Sequence, residues 1–348
     1  MRHKKTLSIS GRIQMLIAEM EEIDLKILDL LQTEFPLVSR PFDTIGRQIG
    51  ISENETIDRV KDLFTNGLIR QISAIFDTRR LGYDSCLIAM QVPKKDIDNA
   101  AKVINAHPGV SHNYARSHLF NLWFTIATPP GDNLLSDVEK LSNDISSHAT
   151  LTLPALRMFK LNVRLDVTRS RNPLATEPGN SRKKTKVELH LSPLTDIEIA
   201  VIRELQENIL IEESPFRGIA DRIGITEIEL FSIANKFINE GRMRRFAAVL
   251  RHRESGFKAN AMAVWNVPED DVEKVGNQFA AFQAVSHCYE RPPQPPIWPY
   301  NIFTMVHART TEECLGILNV MSQSAGVKEY DYLFSEKEYK KIRVRYFV

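Results

Sequence analysis

Apolar residues along the chain keep helical spacing through three short segments. They then switch to alternating strand and helix patterns, and the whole series is repeated once. Between Glu22 and Leu31, residues Ile23, Ile27, Leu30 and Leu31 recur at the period of one helix face. A second helix is predicted after Pro41-Phe42, with Ile45 and Ile49 inward and Gly50 turning the chain. Ser52, with Glu55 three residues on, reads as a capping box that opens a third helix, which ends at about Asn66-Gly67. Leu68 to Arg79 is rich in Ile and Phe and predicts a wing hairpin. Three helices and a wing make a winged helix-turn-helix.

After Gly82 the pattern changes. Cys86 to Val92 reads as a buried strand, Asp96 to His107 as an amphipathic helix, and Val110–Arg116 and Phe120–Ala127 as strands. A helix over Asp132–Ser147 and a last strand near Ala155–Val163 follow. The order β-α-β-β-α-β is ferredoxin-like. The second copy repeats it with a strand at Ala261–Val267, a helix at Asp270–Ala281, and strands at Val285–Arg291 and Tyr300–His307. A helix at Thr311–Ser324 and a strand from Val327 complete it.

The repeat is explicit in the residues. Ile49-Gly50-Ile51 answers Ile223-Gly224-Ile225, and Gly82-Tyr83 answers Gly256-Phe257. Val110-Ser111-His112-x-Tyr114-x-Arg116 answers Val285-Ser286-His287-x-Tyr289-x-Arg291, and Phe120-Asn121-Leu122-Trp123 answers Tyr300-Asn301-Ile302-Phe303. Matches in one order with small drifts identify a domain duplication. The expected fold is therefore α+β, a tandem duplication of a winged helix-turn-helix plus a ferredoxin-like domain. The predicted boundaries are an extension over 1–20, a winged helix over 21–80, an α/β domain over 81–168 and a polar linker over 169–192. The second winged helix covers 193–253 and the second α/β domain 254–348. Sheets of this type pair face to face, so the two copies are expected to form an internal pseudo-dimer, with further homo-oligomerisation left open.

Composition narrows the function classes. A net charge of +1 carries no global signature for nucleic acid or membrane surfaces. Cys86, Cys288 and Cys314 are scattered and form no C-x-x-C pair, which excludes a zinc ribbon, an iron–sulfur motif and a disulfide framework. No apolar run approaches the ~20 residues of a membrane span, and the basic N-terminus lacks a signal-peptide core. A cytoplasmic protein with no membrane partner is expected.

The architecture resembles the Lrp/AsnC transcription regulators, so the segments that would read DNA matter. Ser52–Asn66 carries Arg59 and Lys61 against Glu53, Glu55, Asp58 and Asp62. Thr226–Glu240 carries Lys236 against Glu227, Glu229 and Glu240. Acidic helices of this kind are repelled by phosphate, and no DNA partner is expected. A DNA-binding regulator, including a heme-sensing one, remains the alternative. Basic residues gather on the wings instead: Arg70, Arg79 and Arg80, then Arg242, Arg244, Arg245, Arg251, His252 and Arg253. Guanidinium forks suit carboxylates. In each copy the His-x-Tyr-x-Arg triplet spaces its residues two apart, which puts His112, Tyr114 and Arg116 on one strand face, and likewise His287, Tyr289 and Arg291. His118 and His307 are further candidates.

At these residues the chain resembles the siroheme decarboxylases. The stretches that carry the likeness are Ile69–Arg79, His112–Arg116 with Asn121–Phe124, Arg244–His252, and Val285–Pro292 through Trp298–Met305. Copy one looks like the first subunit of the heterodimeric enzymes and copy two like the second. Gln71 departs from the pattern, which has a second arginine matching Arg245. The resemblance implies siroheme as the small-molecule substrate, with acetate carboxylates lost as carbon dioxide to give 12,18-didecarboxysiroheme on a route to heme. It implies no protein-bound metal and no cofactor beyond the iron of the substrate. His287 and His112 are implied as axial ligand to that iron or as proton donor, Tyr289 and Tyr114 as orienting or donating groups. Arg291, Arg116, Arg244, Arg245, Arg70, His252 and Trp298 are implied to bind the substrate. Which histidine does which job, and whether both copies are productive, stay open.

Overall fold

The computed structural model describes residues 20–33, 35–161, 191–250 and 259–348. The predicted extension (save for Met20), most of the linker, and His252 with Arg251 and Arg253 lie outside the described residues. The described residues form two compact units. One is drawn from Met1–Gly82, Glu188–Ser255 and Arg345–Val348, the other from Tyr83–Val187 and Gly256–Val344. The units thus gather like with like: both winged-helix copies fall in the first and both α/β copies in the second.

In the first unit, copy one supplies α1 (Glu22–Thr33), α2 (Pro41–Ile49), α3 (Glu53–Thr65) and β1 (Ile69–Phe76). Copy two supplies α6 (Asp196–Leu205), α7 (Arg217–Ile223), α8 (Glu227–Asn239) and β7 (Met243–Leu250). Gly50 and Gly224 close the second helix of each copy at φ +82° and +79°, a conformation glycine reaches without a Cβ clash. Thr226 forms a complete capping box with Glu229. Ser52 forms only the first arm, accepting from the Glu55 N–H, because the Glu55 carboxylate is engaged by Arg59 at 3.0 Å. The expected wing hairpin is not formed. β1 instead pairs antiparallel with β7 of the other copy, Ser73 opposite Ala247 and Ala74 opposite Phe246. The reason lies in the burial of both strands, where Ile72-Ser73-Ala74 and Phe246-Ala247-Ala248 are covered on both faces. A solvent-exposed hairpin would leave such runs wet on one side. Phe35, Phe216 and Phe246 meet with ring centroids 5.3–6.4 Å apart, so the core of this unit is shared by the two copies.

The second unit contains β2 (Asp84–Gln91), α4 (Ile97–Ala106), β3 (Val110–Arg116), β4 (Leu122–Thr128), α5 (Leu134–Asp144), β5 (Ala149–Pro154) and β6 (Arg157–Leu161) from copy one. Copy two adds β8 (Ala259–Trp265), α9 (Val272–Ala281), β9 (Val285–Glu290), β10 (Ile302–Ala308), α10 (Thr311–Ala325) and β11 (Tyr330–Lys341). Their order is β5-β2-β4-β3-β11-β8-β10-β9-β6, one antiparallel sheet of nine strands. The last strand of copy one was expected near Ala155–Val163. The strand that completes its own sheet is β5, earlier in the chain, where Leu151 and Leu153 point inward between threonines. β6 leaves to pair with β9 of the other copy. Copy two answers in kind: Tyr330–Phe334 of β11 pair with its own β8, and Ser335–Lys341 pair with β3 of copy one. The pseudo-dimer is therefore joined by exchanged strands, which no periodicity announces.

Each half keeps its helices over one face, against clusters that include Ile88, Phe124 and Ile126 in copy one and Trp265, Phe279 and Ile302 in copy two. The helix-free faces share a third cluster: Trp123, Leu151 and Leu153 from copy one with Met262, Val264, Trp298 and Phe303 from copy two. Cys86, Cys288 and Cys314 are buried free thiols. Among the described residues, no helix is long and apolar enough to cross a membrane.

The exchanged strand β6 docks on α9 through Phe159, whose ring lies where a Cβ on Gly276 would sit, 2.3 Å away. Alanine normally beats glycine inside a helix by about 1 kcal/mol. Here Gly276→Ala is expected to destabilise instead, by about 1–3 kcal/mol as an overpacked contact. Denaturant unfolding of Gly276→Ala, Phe159→Ala and the double variant tests this. The double variant should show no added penalty from the alanine, and a stabilised Gly276→Ala chain would contradict the docking.

Candidate functional site

β3 and β9 are equivalent strands that each receive an exchanged strand; β3 carries its whole triplet, and β9 carries His287 and Tyr289 with Arg291 just past its end. In β3, Tyr114 lies opposite Trp123, while Asn113 and Ala115 lie opposite Phe124 and Leu122 of the helix-side core. In β9, Tyr289 lies opposite Phe303 and His287 opposite Met305. Trp123 and Phe303 belong to the cluster between the helix-free faces. Both triplets therefore project to that side, as period-two spacing requires.

Along each strand the three side chains form a column. His112 and Tyr114 rings are 6.4 Å apart at 28°, and His287 and Tyr289 6.3 Å apart at 27°. The Arg116 guanidinium lies 5.5 Å from the Tyr114 ring centre and that of Arg291 5.1 Å from Tyr289. The histidines and tyrosines are half-buried. Arg116 is buried and donates to Leu333 O at 3.1 Å and Ser335 Oγ at 3.2 Å, both on β11. Arg291 donates to Leu153 O on β5. Each arginine thus ties its strand to a backbone carbonyl contributed by the opposite copy. Burial without a carboxylate partner pulls the Arg116 guanidinium down to about 10.

A bulge sits beside each histidine. The register skips Ser111 between Val110 and His112, and skips Ser286 between Val285 and His287. A bulge turns successive side chains toward the same side, which brings Ser111 Oγ to 3.0 Å from His112 Nδ1 and Ser286 Oγ to 2.8 Å from His287 Nδ1. In copy two the same hydroxyl also lies 2.7 Å from His307 Nε2. The Val-Ser-His repeat was visible in sequence, but the role of its serines was not. Only the bulge reveals it. Burial holds His287 down to about 4, and the like charges of His307, His112 and Lys341 push the same way.

The other sequence candidates fall elsewhere. Trp298 is fully buried, its ring 5.4 Å from Trp123 and 5.6 Å from His118, so it builds the floor between the sheet faces. His118 accepts from the Phe120 N–H and lies 3.6 Å from Asp331. Arg70, Arg244 and Arg245 belong to the helical unit, where Arg244 is held by Asp77 at 3.0 Å and Arg70 is exposed. Gln71, the departure noted in the first wing strand, donates to Gln206 O at 2.8 Å. Among the described residues, no group of three or more His, Cys, Asp or Glu is placed to hold a metal ion.

Comparison with known proteins gives a consistent result. Residues 24–70 match the siroheme decarboxylase NirDL-like HTH domain, and residues 80–160 and 254–340 the AsnC-like ligand binding domain. The chain is 39% identical over 323 residues to a siroheme decarboxylase of Hydrogenobacter thermophilus, covering 92% of this chain and 94% of that protein. It is 31% identical to a siroheme decarboxylase NirDL subunit of Paracoccus pantotrophus, covering 86% and 89%. A crystal structure of the siroheme decarboxylase NirDL matches with a TM-score of 0.78 at 34% identity, over 94% of this chain and 95% of that one. A second, in co-complex with an iron-uroporphyrin III analogue, matches with a TM-score of 0.77.

With its folded value below the ordinary 6.5, His287 binds fewer protons in the folded than in the unfolded chain. Its contribution to stability is fully present above about pH 6.5 and is lost as pH falls toward about 4. Histidine-ring NMR should place its midpoint near pH 4 in the ligand-free protein. A midpoint at ordinary values would mean a solvated ring, free of the neighbouring cations.

Proposed function

The chain belongs to the siroheme decarboxylase family, and on that basis we propose that it removes acetate carboxylates from siroheme as carbon dioxide, to give 12,18-didecarboxysiroheme, at the columns of β3 and β9. The observation that carries this reading is geometric: two matched His-Tyr-Arg columns project to the helix-free side, beside a cluster shared by the two copies. His307, His112 and Lys341 are all cationic when protonated and all oppose protonation of His287. Like charges gathered at a half-buried site are costly alone and favourable once a polyanion supplies the opposite sign. A flat macrocycle edged with carboxylates is such a polyanion. Trp123, Trp298 and Phe303 form a buried aromatic cluster behind these side chains.

In the reaction, the bond between the acetate methylene and its carboxylate breaks and carbon dioxide leaves. The electron pair stays on the methylene carbon, conjugated with the macrocycle, and one proton then converts it to a methyl group. The tetrapyrrole supplies the electron sink, and the protein supplies orientation and the proton. We assign proton delivery to His287, with Tyr289 alongside it, and the matching faces of His112 and Tyr114 to substrate binding. Arg116 is buried and donates to the Leu333 carbonyl and the Ser335 hydroxyl, so it acts as a positioning residue that holds Tyr114, and Arg291, donating to the Leu153 carbonyl, holds Tyr289 in the same way. No cofactor beyond the substrate's iron is required.

A DNA-reading function has little support from the helical unit. Arg59 on α3 is bonded to Glu21, Asp24 and Glu55, and Lys236 on α8 is paired with Glu198 and Glu240. Cations neutralised in this way offer little to phosphates.

Anaerobic incubation of the purified protein with siroheme should yield a product lighter by carbon dioxide, followed by mass spectrometry, and unchanged siroheme would refute the assignment. His287→Ala should lower kcat by about 10²–10⁴, the range of a lost general acid, and unaltered turnover would remove that residue from the mechanism.

A further inference from the structure

The two triplets match, but their surroundings do not. In copy two, Ser286 Oγ stands between His287 Nδ1 at 2.8 Å and His307 Nε2 at 2.7 Å. In copy one, Ser111 Oγ contacts His112 Nδ1 at 3.0 Å, and the position matching His307 is Ala127. The equivalence is structural as well as sequential: the His307 N–H donates to Ala284 O, and the Ala127 N–H donates to Gly109 O. The connected trio thus belongs to one copy of an otherwise matched pair.

Each acetate lost as carbon dioxide consumes one proton at carbon, so a donor in a half-buried site must be reloaded between steps. We propose that His307, acting through the Ser286 hydroxyl, resupplies His287 with that proton, so that the second copy is the one equipped to protonate the product. This rests on the decarboxylase reading above. His287 is His307's partner across a single hydroxyl, and one hydroxyl proton can serve only one of the two rings at a time. Before transfer, the His307 Nε2–H points to Ser286 Oγ, the Ser286 O–H points to His287 Nδ1, and the His287 Nε2–H faces the substrate. As the Nε2 proton moves to the methylene carbon, the serine proton moves to His287 Nδ1 and the His307 Nε2 proton moves to the serine oxygen. His307 begins as the cation and ends neutral, His287 begins and ends neutral with its proton exchanged between ring nitrogens, and Ser286 is unchanged. One proton has left His307 and one has reached carbon. His307 keeps part of its surface in solvent and can be recharged from water. Met305 O, 3.4 Å from Ser286 Oγ, is the weaker competing acceptor.

His307→Gln separates relay from scaffold, because its amide can still donate to Ser286 but cannot carry the extra proton. With siroheme turnover established for the unaltered protein, kcat of His307→Gln should fall by about 10–100-fold, part of the span of general-acid effects, with KM and thermal stability retained. Ser286→Ala should match that loss and Ser286→Thr should restore most of the rate. Independently of turnover, 15N spectra of the histidine rings in substrate-free protein should show one dominant His287 tautomer that shifts in Ser286→Ala. Unchanged kcat in His307→Gln, or a change confined to KM, would overturn the relay while leaving the decarboxylase reading intact. Absence of turnover in the unaltered protein would instead defeat that reading, and identical His287 ring spectra with and without the Ser286 hydroxyl would then dismiss the relay as well.

Discussion

The structure depends on the exchange of strands between the two α/β copies. A ferredoxin-like half has open edges, and unpaired edge strands bind other chains. Here the β3 edge is closed by the second half of β11 and the β9 edge by β6. These are also the strands that carry the His-Tyr-Arg columns, so each site strand is held in register by a strand from the opposite copy. Arg116 and Arg291 reinforce the same seam by donating to carbonyls on the far side of it. Both columns are thereby held within one nine-stranded sheet, β3 near its middle and β9 one strand in from its edge.

The seam explains the electrostatics of the site. Pairing both halves in one sheet sets two imidazole-bearing columns on helix-free faces that share an aromatic core. His112 of one copy then adds to the burial that already opposes charging of His287 in the other. Duplication followed by divergence has left matched columns in unmatched settings: a serine braces the imidazole in both, and a second imidazole joins the serine in one.

The helical unit has a helix-turn-helix architecture whose strands and cations are engaged within the unit itself. Its wing strands are buried and paired across copies, and basic residues of its would-be reading helices are consumed by carboxylates of the same unit. Shared core aromatics from both copies make it a second point of union.

Much of this was legible along the chain. The duplication, the helices opened by Ser52 and Thr226, the strand over Val110–Arg116 and the one-sided placement of His, Tyr and Arg all follow from local periodicity and capping, which depend on near neighbours in sequence. The resemblance that pointed to tetrapyrrole chemistry was carried by the same stretches. What tertiary structure alone decided is where strands find partners: β1 with β7 in place of a hairpin, β5 before the expected final strand, and β6 and β11 across the seam. It also decided that Ser286 meets both His287 and His307, since a bulge and a strand neighbour distant in sequence must coincide. Hydrogen-bond partners in a sheet are chosen by burial and closure over the whole fold, and a residue's own neighbours in sequence carry no record of that choice.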